Sequence, residues 1–229
     1  MMDTEVRDFA LMLLKQESDR DRQKKVGASQ ISDPCTYHLA LALITFGERE
    51  SKYWLGAKVG TAVHLYLEDA IKKAKIADAI VEKKIILGEL KGYGTISSKP
   101  DLVLPSKKHL IDWKTSTRAK MKKMQAYIDD PENGKADVAY TLQKYVAQVQ
   151  LYAWGVNRSG IEVDKCSLVF INRDGTMESD VWTYTFDYSE ELAQSVWDRL
   201  ENLWAEILKG IDLETLDRNE NCFKCAIGL

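Results

Sequence analysis

A chain of 229 residues, 45% apolar and with a formal charge of −3, has the size and apolar content of one compact folded unit. Its longest unbroken apolar stretch, Leu39 to Ile44, is too short to cross a bilayer, and the acidic, polar start (Met1-Met2-Asp3-Thr4-Glu5) is unlike a signal peptide. The expected compartment is therefore intracellular and reducing. The charge excludes a uniformly basic nucleic-acid binder, although a local positive surface is enough to meet phosphates.

Apolar spacing predicts a first helix over the opening twenty residues, with Val6, Phe9, Ala10, Leu13 and Leu14 on one face. A polar, basic segment runs from Asp19 to Lys25, and Ser32-Asp33-Pro34 marks a helix start ahead of Cys35 and the apolar run. Gly60 to Ala74 is amphipathic, with Val63, Leu67, Ala70, Ile71 and Ala74 as a core stripe and His64 and Glu68 on a neighbouring face. Strands are expected at Val81–Leu87, Tyr93–Ser97, Asp101–Leu104 and His109–Trp113, with Pro105-Ser106-Lys107-Lys108 turning between the last two. Ala136–Val156 returns to helical period. Cys166–Ile171 reads as a buried strand, Arg173-Asp174-Gly175 as a hairpin turn and Val181–Phe186 as the partner strand. Ser189 caps a last helix carrying Leu192, Val196, Leu200, Leu203 and Ile207. This order predicts an α/β fold, a mixed central β-sheet flanked by helices, in one domain spanning residues 1–229.

Asp101 opens one expected strand and Asp112 lies near the end of the next. Residues equally distant from a hairpin turn sit side by side, so pairing brings the two carboxylates together. Asp112 and Lys114, two apart on one strand, point to the same face. Converging carboxylates repel unless a cation sits between them, and hard oxygen ligands suit Mg2+ or Mn2+. Such an ion acidifies a bound water and stabilises charge on a phosphate in flight, while an adjacent Lys orients that water. Phosphodiester hydrolysis needs this set. Directly after it, Lys114 to Ile128 carries Arg118, Lys120, Lys122 and Lys123 with no acidic residue, a candidate DNA-backbone surface whose alternative is a solvated face.

Pro100-Asp101 and Asp112-Trp113-Lys114 resemble the signature of the PD-(D/E)XK nuclease superfamily. Gly60-Thr61-Ala62-Val63-His64 is similar to the Gly-x-x-x-His helix of its RecB-like exonuclease branch, which includes CRISPR-associated and phage exonucleases. Gln148-Val149-Gln150-Leu151-Tyr152 is similar to that branch's Gln-x-x-x-Tyr helix. The resemblance covers about Cys35 to Tyr152. It implies a restriction-endonuclease-like core and a Mg2+- or Mn2+-dependent deoxyribonuclease, an exonuclease preferring single strands or free ends, in DNA recombination or repair. It makes Asp101, Asp112, His64 and the Trp113 carbonyl metal ligands and Lys114 the catalytic lysine. Gln148 and Tyr152 would contact substrate or support Lys114, and Glu68 is either an outer-shell or second-metal residue or a solvated one. The alternative function is a non-catalytic nucleic-acid-binding or assembly subunit that keeps the fold. The intact Asp101, Asp112 and Lys114 argue against it. An oligomer is compatible with the sequence, and no residue specifies one.

Nucleases of this branch often hold a 4Fe–4S cluster with one Cys upstream of the His helix and three near the C-terminus. Cys35 and the Cys222-Phe223-Lys224-Cys225 pair match that pattern, but a fourth such cysteine is absent. A CxxC pair also binds Zn2+, and a plain structural pair is the third reading. Cys166, inside an apolar strand, reads as core. The expectation is that Cys35, Cys222 and Cys225 converge and clip the N-terminal segment (about 1–50) to the C-terminal one (about 210–229).

Overall fold

The computed structural model describes residues 2–14, 25–45 and 54–226. Of the basic Asp19–Lys25 segment, only Lys25 lies within the described residues, and the end of the first expected helix lies outside them. The described helices and strands are α1 (Met2–Leu14), α2 (Ala28–Ile31), α3 (Thr36–Thr45), α4 (Trp54–Ala74), β1 (Ile80–Val81), β2 (Ile85–Leu90), β3 (Gly94–Ser98), β4 (Leu102–Leu104), β5 (His109–Ser116), α5 (Arg118–Asp129), α6 (Ala136–Arg158), β6 (Lys165–Asn172), β7 (Val181–Asp187), α7 (Glu190–Leu208) and α8 (Phe223–Ala226).

The central sheet has the order β1-β4-β5-β6-β7, and β2 and β3 form a separate antiparallel pair. β5 and β6 are parallel, while β1–β4, β4–β5 and β6–β7 are antiparallel. A parallel pair needs a long crossover, and α5 and α6 supply it. The expected mixed sheet flanked by helices is what forms. Among the described residues no helix is long and apolar enough to cross a membrane.

α6 is the central helix, buried at every residue from Ala147 to Val156. A helix this deep must satisfy its polar side chains internally. Gln150 does so by donating to the Asp187 carbonyl (3.0 Å) and accepting from the Ser189 amide (2.8 Å). Ser189 then caps α7, its hydroxyl accepting from Leu192 N (3.1 Å), as the sequence predicts. Phe170 of β6 stacks on Trp182 of β7 at 4.9 Å and packs against Tyr145 of α6 at 6.1 Å. Phe170 is in register with Lys114, and Leu168 with Asp112, so α6 covers the sheet face that carries those two side chains.

Several expectations change. Val81–Leu87 is not one strand: Val81 ends β1, Glu82 turns at φ 49°, and Ile85 begins β2 in the other sheet. The polar Glu82-Lys83-Lys84 triplet is what breaks the run. Arg173-Asp174-Gly175 does turn, the Gly175 amide donating to the Asn172 carbonyl at 3.1 Å, but it does not close the β6–β7 hairpin alone, because the connection continues to a 3-10 turn at Glu178–Asp180. The buried Asp180 carboxylate organises it, accepting from Asn172 Nδ2 (2.9 Å), Thr176 N (2.9 Å), Met177 N (3.2 Å) and Arg118 (2.6 Å). Asn172 first among these donors holds the Asp180 carboxyl down to about 2. In α7 the buried residues are Ala193, Trp197, Leu200 and Leu203 while Leu192 is exposed, because the Trp197 ring packs against Trp154 and sets the helix's rotation. Val6, Phe9, Leu13 and Leu14 of α1 are exposed, so the first expected core face is not part of the core. The α4 stripe is only half-buried, with Ala74 exposed.

β2 bulges between Ile86 and Gly88, and this sets Gly88 against the Trp197 indole. A Cβ at position 88 would lie 2.2 Å from Trp197 Cζ2. Gly88→Ala is therefore expected to cost roughly 1–3 kcal/mol of stability through overpacking. The check is the urea midpoint at unchanged m-value, and an unchanged midpoint would show that Trp197 gives way freely.

Candidate active site

The β4–β5 register sets the two carboxylates. Leu104 pairs with His109, Val103 with Leu110 and Leu102 with Ile111, which leaves Asp101 opposite Asp112, as counting from the turn predicts. β4 stops short of Asp101, so the Trp113 amide has no strand partner there and donates instead to Asp101 Oδ2 at 2.8 Å. In an extended strand the N–H and C=O of one residue point to the same side. The Trp113 carbonyl therefore opens toward the same edge of β5.

α4 delivers His64, whose Nδ1 lies 2.9 Å from Asp101 Oδ1. Gly60 is where this helix meets β5: a Cβ there would stand 3.4 Å from Thr115 Oγ1, so the small residue permits the approach. Sequence reasoning missed Glu82. The ligand atoms of His64, Glu82 and Asp101 all lie within 4.8 Å of one another, and the Glu82 amide donates to the Asp101 carbonyl at 3.3 Å. Glu82 holds its carboxylate there from a left-handed backbone that is costly for a residue with a Cβ.

Asp112 and Lys114 face each other deeper in the site. Lys114 Nζ stands 2.7 Å from Asp112 Oδ2, an ion-pair contact whose alignment is not that of a hydrogen bond, so this buried oxygen has no hydrogen-bond partner. Burial pushes the Asp112 carboxyl up to about 6, with Lys114 opposing and the Asp101 charge adding to the rise. Burial, the largest single influence, would lower Lys114, but Asp112, Tyr145 and Asp101 together outweigh it and hold the ammonium above its usual value. The ammonium donates to Gln148 Oε1 at 2.9 Å and lies 4.8 Å from the centre of the Tyr145 ring, and Gln148 Nε2 donates to Tyr152 OH at 2.8 Å. Carboxylates and an imidazole converging on one point, with a further buried carboxylate oxygen held by the Lys114 ammonium alone, are a donor set that fits a hard divalent cation.

These residues line a cleft of 620 Å³, which also holds Lys25, Lys84 and Lys99. Beyond Lys114, its cationic lining thus comes from lysines outside the charge run that the sequence singled out. Arg118 is engaged with Asp180, and Lys120, Lys122 and Lys123 project from α5 away from its buried Met121 and Met124, outside the cleft lining. Glu68 pairs with Lys72 at 2.6 Å and stays apart from the His64 group.

The cysteines converge as expected. Cys35 Sγ lies 3.7 Å from Cys225 Sγ, across 190 residues of sequence. His38, which sequence reasoning passed over, stands among them: its Nδ1 is 3.5 Å from Cys35 Sγ, 3.2 Å from Cys222 Sγ and 3.4 Å from Cys225 Sγ. The available signal was Cys35-x-x-His38, which repeats the spacing of Cys222-x-x-Cys225. Cys166 is buried separately in β6, and burial pushes its thiol up to about 12.

No family model matches this chain, and no curated protein matches it in sequence. Solved structures do. The alkaline exonuclease LHK-Exo from Laribacter hongkongensis, also solved in complex with dAMP, is similar at a TM-score of 0.55 and 14% identity, over 84% of this chain and 91% of its own. A putative exonuclease from Eubacterium rectale gives 0.54 at 15% identity, covering 93% and 94% of the two chains. A phage-related exonuclease from Haemophilus somnus 129PT gives 0.53 at 13%, covering 82% and 96%. At these identities the likeness is one of fold: the chain has the mixed-sheet, restriction-endonuclease-like fold of the PD-(D/E)XK nucleases.

Proposed function

We propose that this chain is a Mg2+- or Mn2+-dependent DNA exonuclease of the RecB-like branch. The observation that carries the reading is the convergence of His64, Glu82, Asp101, Asp112 and Lys114 in one lysine-bearing cleft, on a fold shared with exonucleases. His64, Glu82, Asp101, Asp112 and the Trp113 carbonyl would hold the cation, which acidifies a bound water and offsets charge on the phosphate. Lys114 would orient the attacking water and donate to a phosphate oxygen. Gln148 and Tyr145 fix its ammonium, and Tyr152 fixes Gln148, so little reorganisation is left for the reaction itself. Lys25, Lys84 and Lys99 would receive the phosphates of a strand entering the cleft, with single strands or free ends preferred.

The test uses end-labelled linear single- and double-stranded DNA beside covalently closed circles, with Mg2+ or Mn2+. Nucleotides should be released progressively from one end of linear DNA while circles survive. Internal nicking of circles would overturn the exonuclease reading.

A second expectation concerns affinity. In an Asp112→Asn background, Lys84→Ala and Lys99→Ala should each reduce the slope of log affinity against log salt by about 0.7 on single-stranded DNA, uniformly across sequences. Fluorescence anisotropy at graded salt reads this. The Lys120, Lys122 and Lys123 triple alanine variant, measured alongside, assigns α5 either to the DNA surface or, at an unchanged slope, to a solvated face.

A further inference from the structure

We infer that Cys35, His38, Cys222 and Cys225 bind a single zinc ion, a Cys3His site that clips the start of α3 to the C-terminal segment and stands where a cluster would be expected. The inference does not rest on the nuclease reading.

Three sulfurs surround one ring nitrogen, at 3.2, 3.4 and 3.5 Å. A neutral imidazole Nδ1 offers one lone pair or one proton, so three thiols cannot all be satisfied by it through hydrogen bonds. A shared ion at their centre satisfies all of them. With Zn–S near 2.3 Å and Zn–N near 2.05 Å, a tetrahedral site places two sulfurs about 3.8 Å apart and a sulfur and nitrogen about 3.6 Å apart. The Cys35 and Cys225 sulfurs stand 3.7 Å apart, and all four ligand atoms lie within 4.8 Å of one another. A cubane binds each ligand to a different iron, which spreads the ligand atoms well beyond such spacing. The donors therefore fit one ion and not a cluster.

The surroundings point the same way. Cys35, His38 and Cys222 are buried, so the site is closed, as structural zinc sites are. Cys35, Cys222 and Tyr140 form a small cluster separate from the main core, with Tyr37 and Cys225 packed against it. So little apolar area holds the Cys222–Cys225 segment weakly, and a metal staple supplies what packing does not. Asp33 fixes the upstream half: its carboxylate accepts from the Cys35 amide at 3.1 Å and from the Tyr140 hydroxyl, and pairs with Lys144 at 2.5 Å.

Metal analysis of the purified full chain tests the site without reference to activity. About one equivalent of zinc, no iron or acid-labile sulfide, and colourless protein are expected. After removal of the metal, titration with Co2+ should give thiolate-to-cobalt charge-transfer absorption and the visible bands of a tetrahedral ion, saturating near one equivalent and releasing about three protons as the thiols ionise. His38→Cys should keep the zinc and shift the cobalt bands. Cys222→Ser should weaken zinc binding by at least 100-fold, and if that variant fails to fold, the cobalt spectrum of the parent chain decides. Brown protein with stoichiometric iron and sulfide, or a cobalt spectrum lacking thiolate bands, would overturn the inference.

Discussion

Lys114→Ala and Asp112→Asn should each slow DNA cleavage on the order of 10³-fold while leaving DNA binding within a few-fold. Lys114 is held by Asp112, Gln148 and the Tyr145 ring, so its position is set before substrate arrives. Removing it takes away a preorganised donor, and the resulting loss falls on kcat more than on KM. Asp112 and Lys114 compensate one another in a buried site, so Lys114→Ala also strands a carboxylate and should lower stability. Asp112→Asn removes the carboxylate charge and keeps the shape. Circular dichroism and urea unfolding of both variants separate the two effects: a well-folded Asp112→Asn protein with parental activity would remove Asp112 from the chemistry.

Asp33→Ala should cost about 3–5 kcal/mol, the usual effect of breaking a buried ion pair from one side. The buried Asp33 carboxylate takes the Lys144 ammonium, the Tyr140 hydroxyl and the Cys35 amide. Arg199 donates to its backbone carbonyl at 2.7 Å and to that of Ile31 at 2.5 Å. Burial by itself would raise the Asp33 carboxyl, but the Lys144 charge and the hydrogen bonds from Lys144, Tyr140 and the Cys35 amide together hold it below its ordinary value. The Ala variant leaves Lys144 without its partner and frees the turn that presents Cys35. Asp33→Asn, which keeps an acceptor for the Cys35 amide, should lose less. Equilibrium urea unfolding in zinc-containing buffer reads both, and an Ala variant within 0.5 kcal/mol of the parent would contradict this account of the hub.

The parts of the site that could be read from sequence are those governed by local periodicity. Counting outward from Pro105–Lys108 places Asp101 against Asp112, and alternation along β5 puts Lys114 on the same face. One helical turn separates Gln148 from Tyr152. Glu82 was hidden because its role depends on the chain leaving the central sheet after Val81 and entering another at Ile85. A residue at such a corner follows neither strand's alternation. His38 was hidden by its setting in the apolar α3, where a helix-facing histidine reads as packing until Cys222 and Cys225 arrive from the far end of the sequence. The cleft lysines come from separate segments, whereas the conspicuous charge run of α5 projects elsewhere. Spatial clustering of charge is a tertiary property, and a run in sequence is a poor guide to it.

Metal dependence is the central claim, and a single add-back experiment bears on it most directly. The protein is treated briefly with EDTA, desalted, and mixed with end-labelled linear single-stranded DNA, and product is followed as Mg2+ or Mn2+ is added. Cleavage should be absent before the addition, should begin with it, and should remain absent in Asp112→Asn at the same metal concentration. Cleavage that proceeds in EDTA, or that Asp112→Asn retains in full, would contradict the assignment of this cleft as a metal-dependent nuclease site.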